Sequence, residues 1–199
     1  MLTDTLFKKY LMSMANLKSD LSALKQQCRC QLKKIRQAVD PKRRKQASAQ
    51  ACLQLSNWTQ SADLILSFAN FGSEINLWPL NQKLASEGRL VLPRLKNEQL
   101  CLFQVAHISH LERSSSGLLE PSISHCLPID FSLIEIALIP GLGFDLKTKN
   151  RLGYGKGNFD RLLASAFSAQ TWGVGFLEQA IENLPHDSQD IPLKQIYLY

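Results

Sequence analysis

The chain has 199 residues, 45% of them hydrophobic and 20% charged, with a formal net charge of +6. This length suits one ordinary domain, with or without a small appendage, and about 70% of the unfolded surface can be buried at that size. The composition excludes a disordered chain, and the uncharged apolar runs are far too short to cross a bilayer.

In residues 5–18 the apolar positions Leu6, Tyr10, Met14 and Leu17 fall at helical spacing. The segment is short and weakly anchored, so residues 1–20 are expected to be an N-terminal extension, with one domain over 21–199. Residues 1–20 carry Lys8, Lys9 and Lys18 beside Asp4 and Asp20. They lack the pattern of a secretory signal or a transit peptide, and a cytoplasmic protein is expected. Two helices are predicted over 20–38 and 42–57, parted by Asp40-Pro41, an N-cap followed by a good first helical residue. A buried strand is predicted over 64–69, then a loop and a helix over 75–86 that ends at Gly88. Strands over 90–93 and 100–105 read as a hairpin around Lys96-Asn97-Glu98. The Ser114-Ser115-Ser116-Gly117 region is loop. A strand over 134–139, a helix over 159–167 and a strand over 171–176 complete the pattern. Strands alternating with helices predict an α/β fold with a mainly parallel or mixed central sheet, covered on both faces.

The five cysteines are scattered, and Cys28-x-Cys30 has no second pair at metal-ligand spacing. Buried or half-buried thiols are expected, and no metal site follows from them. Much of the positive charge sits in Lys33-Lys34-x-Arg36 and Lys42-Arg43-Arg44-Lys45. A solvated helix face is the plain reading; a nucleic-acid footprint is the other, though no aromatic residue is interleaved for base stacking. The four histidines stand at no nucleophile motif.

The most informative stretch is 140–160, which holds Gly141, Gly143, Gly153, Gly155 and Gly157, five of the ten glycines. A strand leads into it and a helix leads out, an arrangement that lets backbone N–H groups and a helix terminus cradle phosphate. No Gly-x4-Gly-Lys-Ser/Thr occurs, and Gly153-x-Gly155-x-Gly157 is not the Gly-x-Gly-x-x-Gly fingerprint. Alternate glycines alone are equally a turn. Their neighbours strengthen the signal, because Arg151 and Lys156 supply cations for phosphate oxygens and Asp160 a carboxylate for Mg²⁺.

These residues resemble the 5-formyltetrahydrofolate cyclo-ligase family, also called methenyltetrahydrofolate synthetases. The family pattern Pro-Gly-x-x-Phe-Asp, a spacer, then Arg-x-Gly-x-Gly-x-Gly-x-Tyr-Asp is met at Pro140, Gly141, Phe144, Asp145, Arg151, Gly153, Gly155, Gly157 and Asp160. Weaker matches follow in order from about Leu24: Lys25-x-x-x-Arg29, Glu74-Ile75, Leu92-Pro93-Arg94, Gly117 to Pro121, Phe176-x-Glu178-Gln179, Leu184-Pro185 and Asp190. The resemblance implies a three-layer α/β/α sandwich and ATP-dependent closure of 5-formyltetrahydrofolate to the 5,10-methenyl form. ADP and phosphate are released through a phosphorylated formyl intermediate.

By resemblance, Lys25, Arg29 and the run Arg151, Leu152, Gly153, Tyr154, Gly155, Lys156, Gly157, Asn158 and Phe159 bind ATP. Substrate contacts are implied at Ala69, Glu74, Tyr154, Gly155, Lys156, Gly157 and Asn158. Arg151, Lys156 and Glu74 carry the catalytic roles, and Asp160 and Asp190 hold Mg²⁺. A monomer acting on small molecules is expected, with no nucleic-acid or membrane partner. The chain departs from the family at Ser116, Asn158, Phe159 and Lys194, so an aromatic wall, a tyrosine hydroxyl and a second C-terminal aspartate are missing. A folate- or nucleotide-binding protein without turnover is the competing expectation, and an RNA-binding module on the 33–45 cluster is a third.

Overall fold

A strand buried on both faces needs apolar residues at successive positions, and the short apolar runs of this chain meet that demand. The computed structural model describes residues 3–115, 117–164 and 168–199, with side chains described from residue 20. A seven-stranded sheet contains β1 (Ile65–Leu66), β2 (Leu90–Lys96), β3 (Gln99–Gln104), β6 (Leu127–Ile129), β7 (Ile136–Ile139), β10 (Gln170–Gly175) and β11 (Gln195–Leu198). β4 (Leu111–Arg113) pairs with β5 (Leu119–Pro121), and β8 (Gly143–Phe144) with β9 (Arg151–Leu152), as two small ladders. The order across the large sheet is β11-β10-β7-β1-β2-β3-β6. Strands β11, β10, β7, β1 and β2 run parallel. β3 is antiparallel to β2, and β6 to β3. The sheet is mixed and mainly parallel, as expected.

The helices are α1 (Thr3–Ala38), α2 (Pro41–Trp58), α3 (Trp78–Ser86) and α4 (Asn158–Ala164). Alternation along the strands sorts the core into two layers. Ile65, Leu90, Leu92, Ile136 and Leu138 pack with Ala47 and Leu55 of α2 and Leu80 and Leu84 of α3. Their neighbours Leu66, Val91, Ala137 and Ile139 pack on the other face with Leu163 of α4. Helices thus cover both faces, which gives the three-layer sandwich. A third cluster joins Leu32 of α1 to Leu142, Leu152 and Leu184, seating α1 on the β8–β9 ladder.

Asp40 caps α2 as expected, its carboxylate accepting from Arg43 N at 3.0 Å with Pro41 next. The β2–β3 hairpin turns at Asn97 and Glu98, with φ of 49° and 63°. Positive φ at both central residues is what a two-residue turn between right-twisted strands requires.

Other boundaries differ from expectation. α1 runs from Thr3 without a break at residue 20. β1 pairs over two residues rather than 64–69. α3 begins at Trp78, not residue 75, because Pro79 suits a first helical turn and Asn76 Oδ1 accepts from Trp78 N at 2.9 Å just ahead of it. Residues 165–167 of the helix expected over 159–167 lie outside the described residues, as does Ser116. β6, β11 and both small ladders were not anticipated. Cys30 is exposed, unlike the buried or half-buried thiols expected.

Candidate functional site

The chain leaves β1 toward β2 on one side, and β7 lies on the other, so the strand order diverges at β1. In open α/β sheets such a divergence leaves a crevice beyond the carboxyl ends of the strands. Here that crevice is lined by Phe68, Glu74 and Ile75 after β1, Pro140 and Gly141 after β7, Val174 and Gln179 around the end of β10, and Arg36 of α1.

Half of the motif that looks chemical builds this place. Phe144 is fully buried, and a Cβ on Gly173 or Gly175 would lie 2.8 Å from its ring. Residues 146–150, the spacer between Asp145 and Arg151, belong to the turn of the β8–β9 ladder. Asp145 holds that turn, accepting from Lys147 N at 2.9 Å and Thr148 N at 3.1 Å. Burial works against the Asp145 charge, yet the backbone donors prevail and its pKa falls below the usual carboxylate range. Gln179 ties the neighbouring strand ends, donating to Gly141 O at 2.8 Å and Leu142 O at 3.0 Å.

The other half gathers charge. Arg151, 6% exposed, donates Nη2 to Asp160 Oδ1 at 3.0 Å and Nη1 to Ile191 O at 3.3 Å. Burial lowers its pKa against the pull of Asp160, although a guanidinium stays protonated. Its Nε is buried without a partner among the described residues. On α1, Lys25 Nζ meets Asp187 Oδ2 at 2.7 Å and Asp190 Oδ2 at 2.5 Å. Burial opposes the ammonium, but the two carboxylates outweigh it and the Lys25 pKa rises. One turn along the same helix face, Arg29 Nε donates to Gly153 O at 3.1 Å. Gly155, at φ +94°, lies so close that a Cβ would stand 3.1 Å from Arg29 Cζ.

Lys25, Arg29, Arg151, Asp160 and Asp190, spread over 166 residues of sequence, therefore meet beneath the glycine loop. Among the described residues no group of three or more side chains could hold a metal ion. Both aspartates are taken up by protein donors, Asp160 Oδ1 accepting from Arg151 Nη2 and Ile191 N, and Asp190 Oδ2 from Lys25 Nζ and Asp187 N.

A second cluster forms around Glu74. Glu74, 8% exposed, accepts from Phe71 N at 2.8 Å through Oε2 and from the Tyr154 hydroxyl at 3.1 Å through Oε1. Burial pushes its pKa up, opposed by Phe71 N, the Arg36 charge and Tyr154. The Tyr154 ring is half-exposed, but its hydroxyl turns inward; burial and the Glu74 charge raise its pKa, so it remains a phenol that can donate.

Residues 21–198 match the model of the 5-formyltetrahydrofolate cyclo-ligase family. The chain belongs to that family. The 5-formyltetrahydrofolate cyclo-ligase of Haemophilus influenzae is 29% identical over 86% of this chain and 96% of its own length. The mouse 5-formyltetrahydrofolate cyclo-ligase is 35% identical over a shorter stretch, 32% of this chain and 33% of its own. The fold is similar to the Aquifex aeolicus 5,10-methenyltetrahydrofolate synthetase, with TM-score 0.76 and 27% identity over 87% of this chain and 88% of that one. It also matches the Mycoplasma pneumoniae 5,10-methenyltetrahydrofolate synthetase in fold, with TM-score 0.70 at 19% identity over 86% and 96% of the two chains.

Of the positions where this cyclo-ligase family member departs from the pattern, Asn158, Phe159 and Lys194 have partners. Asn158 Oδ1 accepts from Arg161 Nη2 at 2.5 Å, and Arg161 also reaches Glu98 O on the β2–β3 turn at 3.0 Å. The Phe159 ring centroid lies 6.0 Å from Arg151 Cζ, so the ring flanks the buried cation without needing a hydroxyl. Lys194 donates from Nζ to Ser168 O at 3.1 Å. Lys156 is exposed and Ala69 half-buried, and neither side chain joins the two clusters.

Sequence reasoning missed Asp187, Arg161 and Arg36. The partner of a cation in a charged run or of a loop carboxylate is set by tertiary contact and leaves no local mark. Arg36 is buried, and Arg43 and Arg44 are half-buried against backbone carbonyls. Arg44 donates to Ser73 O at 2.8 Å and Arg36 O at 2.9 Å, and Arg43 to Tyr199 O at 2.5 Å. Lys33, Lys34, Lys42 and Lys45 remain exposed, a thin footprint for nucleic acid.

Proposed function

We propose that the chain catalyses ATP-dependent cyclisation of 5-formyltetrahydrofolate to 5,10-methenyltetrahydrofolate, releasing ADP and phosphate. The observation that carries the reading is the convergence of Lys25, Arg29, Arg151, Asp160 and Asp190 under a glycine loop, in a chain matched to the cyclo-ligase family over 21–198. We take 21–199 as the catalytic unit, 1–20 as an N-terminal extension, and the protein as a cytoplasmic monomer. Among the described residues no helix is long and apolar enough to cross a membrane.

An N-formyl group is a poor electrophile because amide resonance stabilises it. Its oxygen attacks the terminal phosphorus of ATP, and the bond to ADP breaks. N10 of the folate then adds to the activated carbon and gives up its proton to the departing phosphate or to water, and loss of phosphate with its oxygen leaves the conjugated methenyl bridge. Charge accumulates on phosphate oxygens, so the protein works by positioning and neutralisation. In this reading Arg29, Arg151, Lys156 and the backbone of Leu152, Gly153, Gly155, Gly157 and Phe159 enclose the triphosphate. Asp160 and Asp190 would hold Mg²⁺, which supplies neutralisation of the phosphate charge. Lys25 must leave Asp190 for that, and the N–H it releases can then turn to a phosphate oxygen while Asp187 keeps another. Glu74, with Ala69, Tyr154 and Asn158 around it, receives the folate; its carboxylate accepts from pterin N–H groups.

The test mixes protein, MgATP and 5-formyltetrahydrofolate and follows methenyl absorbance in the near ultraviolet. An ATP-dependent rise is expected. Folded protein that gives none refutes the reading.

A further inference from the structure

Arg36 has no role in the reaction as described, yet it is 2% exposed while its basic neighbours Lys33 and Lys34 face solvent. Its guanidinium joins three segments: the loop after β1, the end of β7 and the glycine loop. Nε donates to Ser73 Oγ at 3.0 Å, on the loop after β1. Nη1 donates to Gly141 O at 3.1 Å, just after β7, and lies 3.7 Å from Glu74 Oε1. Nη2 donates to the Tyr154 hydroxyl on the glycine loop, which in turn donates to Glu74. The guanidinium carbon also sits 5.5 Å from the centroid of the Tyr154 ring.

We propose that Arg36 is the positioning residue of the folate site, fixing the Glu74 carboxylate and the Tyr154 hydroxyl in one geometry against the carboxyl ends of β1 and β7. The proposal rests on reading Glu74 as a substrate contact. A planar fork with fixed donor directions can hold three segments at once, which a lysine ammonium on a flexible stem cannot do. Stability alone is a weak reason to bury such a group, because apolar residues of similar volume often serve a core as well. The arrangement instead serves Glu74, whose charge is disfavoured by burial. Facing that carboxylate are Arg36 from α1, Tyr154 from the glycine loop and Phe71 N from its own loop. The nearest charge on α2 is Arg44, spent on Ser73 O, while Gly141 and Gln179 at the strand ends bring none. Without Arg36, Glu74 keeps its burial and loses its counter-charge, so it takes up a proton at higher pH.

The experiment compares wild type with Arg36→Gln, Arg36→Lys and Tyr154→Phe in steady-state kinetics, from pH about 4 to about 9, a range that follows a carboxylate from its ordinary value upward. In Arg36→Gln the KM for 5-formyltetrahydrofolate rises about tenfold or more, the scale of one lost charge-assisted hydrogen bond. The KM for MgATP stays put, and the acid limb of kcat/KM for folate moves to higher pH. Arg36→Lys returns the acid limb toward wild type, because the charge is back, but keeps the raised folate KM, because the fork is gone. Tyr154→Phe moves the acid limb the same way by less. A general loosening would raise both KM values and leave the pH profile in place, and that result overturns the proposal. If Arg36→Gln fails to fold, the other two variants decide alone. Wild-type protein without turnover overturns the proposed function instead. Calorimetric titration of 5-formyltetrahydrofolate into the same proteins then decides on Arg36, and equal affinities overturn its role.

Discussion

Replacing Arg151 with alanine removes a cation with two duties, and the structure separates them. The side chain is 3% exposed and its partner Asp160 25% exposed. Breaking one member of a buried pair costs about 3–5 kcal/mol; with a quarter of Asp160 in water, the lower end, about 3 kcal/mol, applies. The carbonyl of Ile191 loses its donor as well. In a domain of this size 1 kcal/mol moves Tm by about 2–4 °C, so Arg151→Ala melts about 6–12 °C lower. Lost turnover in that variant is therefore ambiguous. Asp160→Asn is the informative companion. Its amide oxygen still accepts from Arg151 Nη2 and Ile191 N, so Tm falls by less than about 4 °C. If Asp160 holds Mg²⁺ as proposed, the missing charge weakens the metal and the phosphate transition state, and kcat falls about a hundredfold or more. Thermal melts and methenyl absorbance on both proteins read the two duties. Arg151→Ala melting with wild type, or Asp160→Asn turning over at nearly the wild-type rate, refutes the reasoning.

Gly155→Ala forces a β-carbon onto φ +94° and toward Arg29 Cζ at 3.1 Å. It costs about 1–3 kcal/mol in strain and raises the KM for ATP more than that for folate; equal changes in both contradict the packing described. Glu74 has a raised native pKa, so its ionisation costs stability as pH rises from the unfolded carboxylate value through the native one. The Tm of Glu74→Gln relative to wild type is therefore higher at pH about 8 than at pH about 4, while folate turnover is lost. A flat difference across that range shows the carboxylate is not held against its ionisation. Arg44→Ala frees the carbonyls at the end of α1 and loses about 1–3 kcal/mol, read as a lower Tm, with RNA affinity unchanged. A fall in RNA affinity instead marks the cluster as a nucleic-acid surface.

The layers of the fold were legible because period and punctuation state them. Ile136–Ile139 and Leu90–Leu92 are apolar at consecutive positions, and Asp40-Pro41 breaks a helical run where a cap belongs. β11 was not legible: Gln195–Leu198 is short, and only its pairing with β10 makes it a strand. The three-residue β4, β5 and β6 carry no period to read. In the site, spacing pointed to Arg151 as a phosphate cation and to Asp160 as a carboxylate for Mg²⁺, and the structure pairs the two with each other. Lys25 and Asp190 were expected as separate phosphate and metal contacts; their direct pairing across 165 residues is a tertiary fact. Arg36 shows the limit most clearly. Beside two solvated lysines it reads as one more surface charge, and only the approach of three distant segments turns it inward.

The central claim is that this site couples one phosphoryl transfer to one ring closure. Quenched time points assayed together for ADP, phosphate and methenyl product test it most directly. The account predicts equal molar amounts of all three at every time, with none formed when either ATP or 5-formyltetrahydrofolate is left out. ADP and phosphate accumulating without methenyl product, or product forming without ADP, would contradict it.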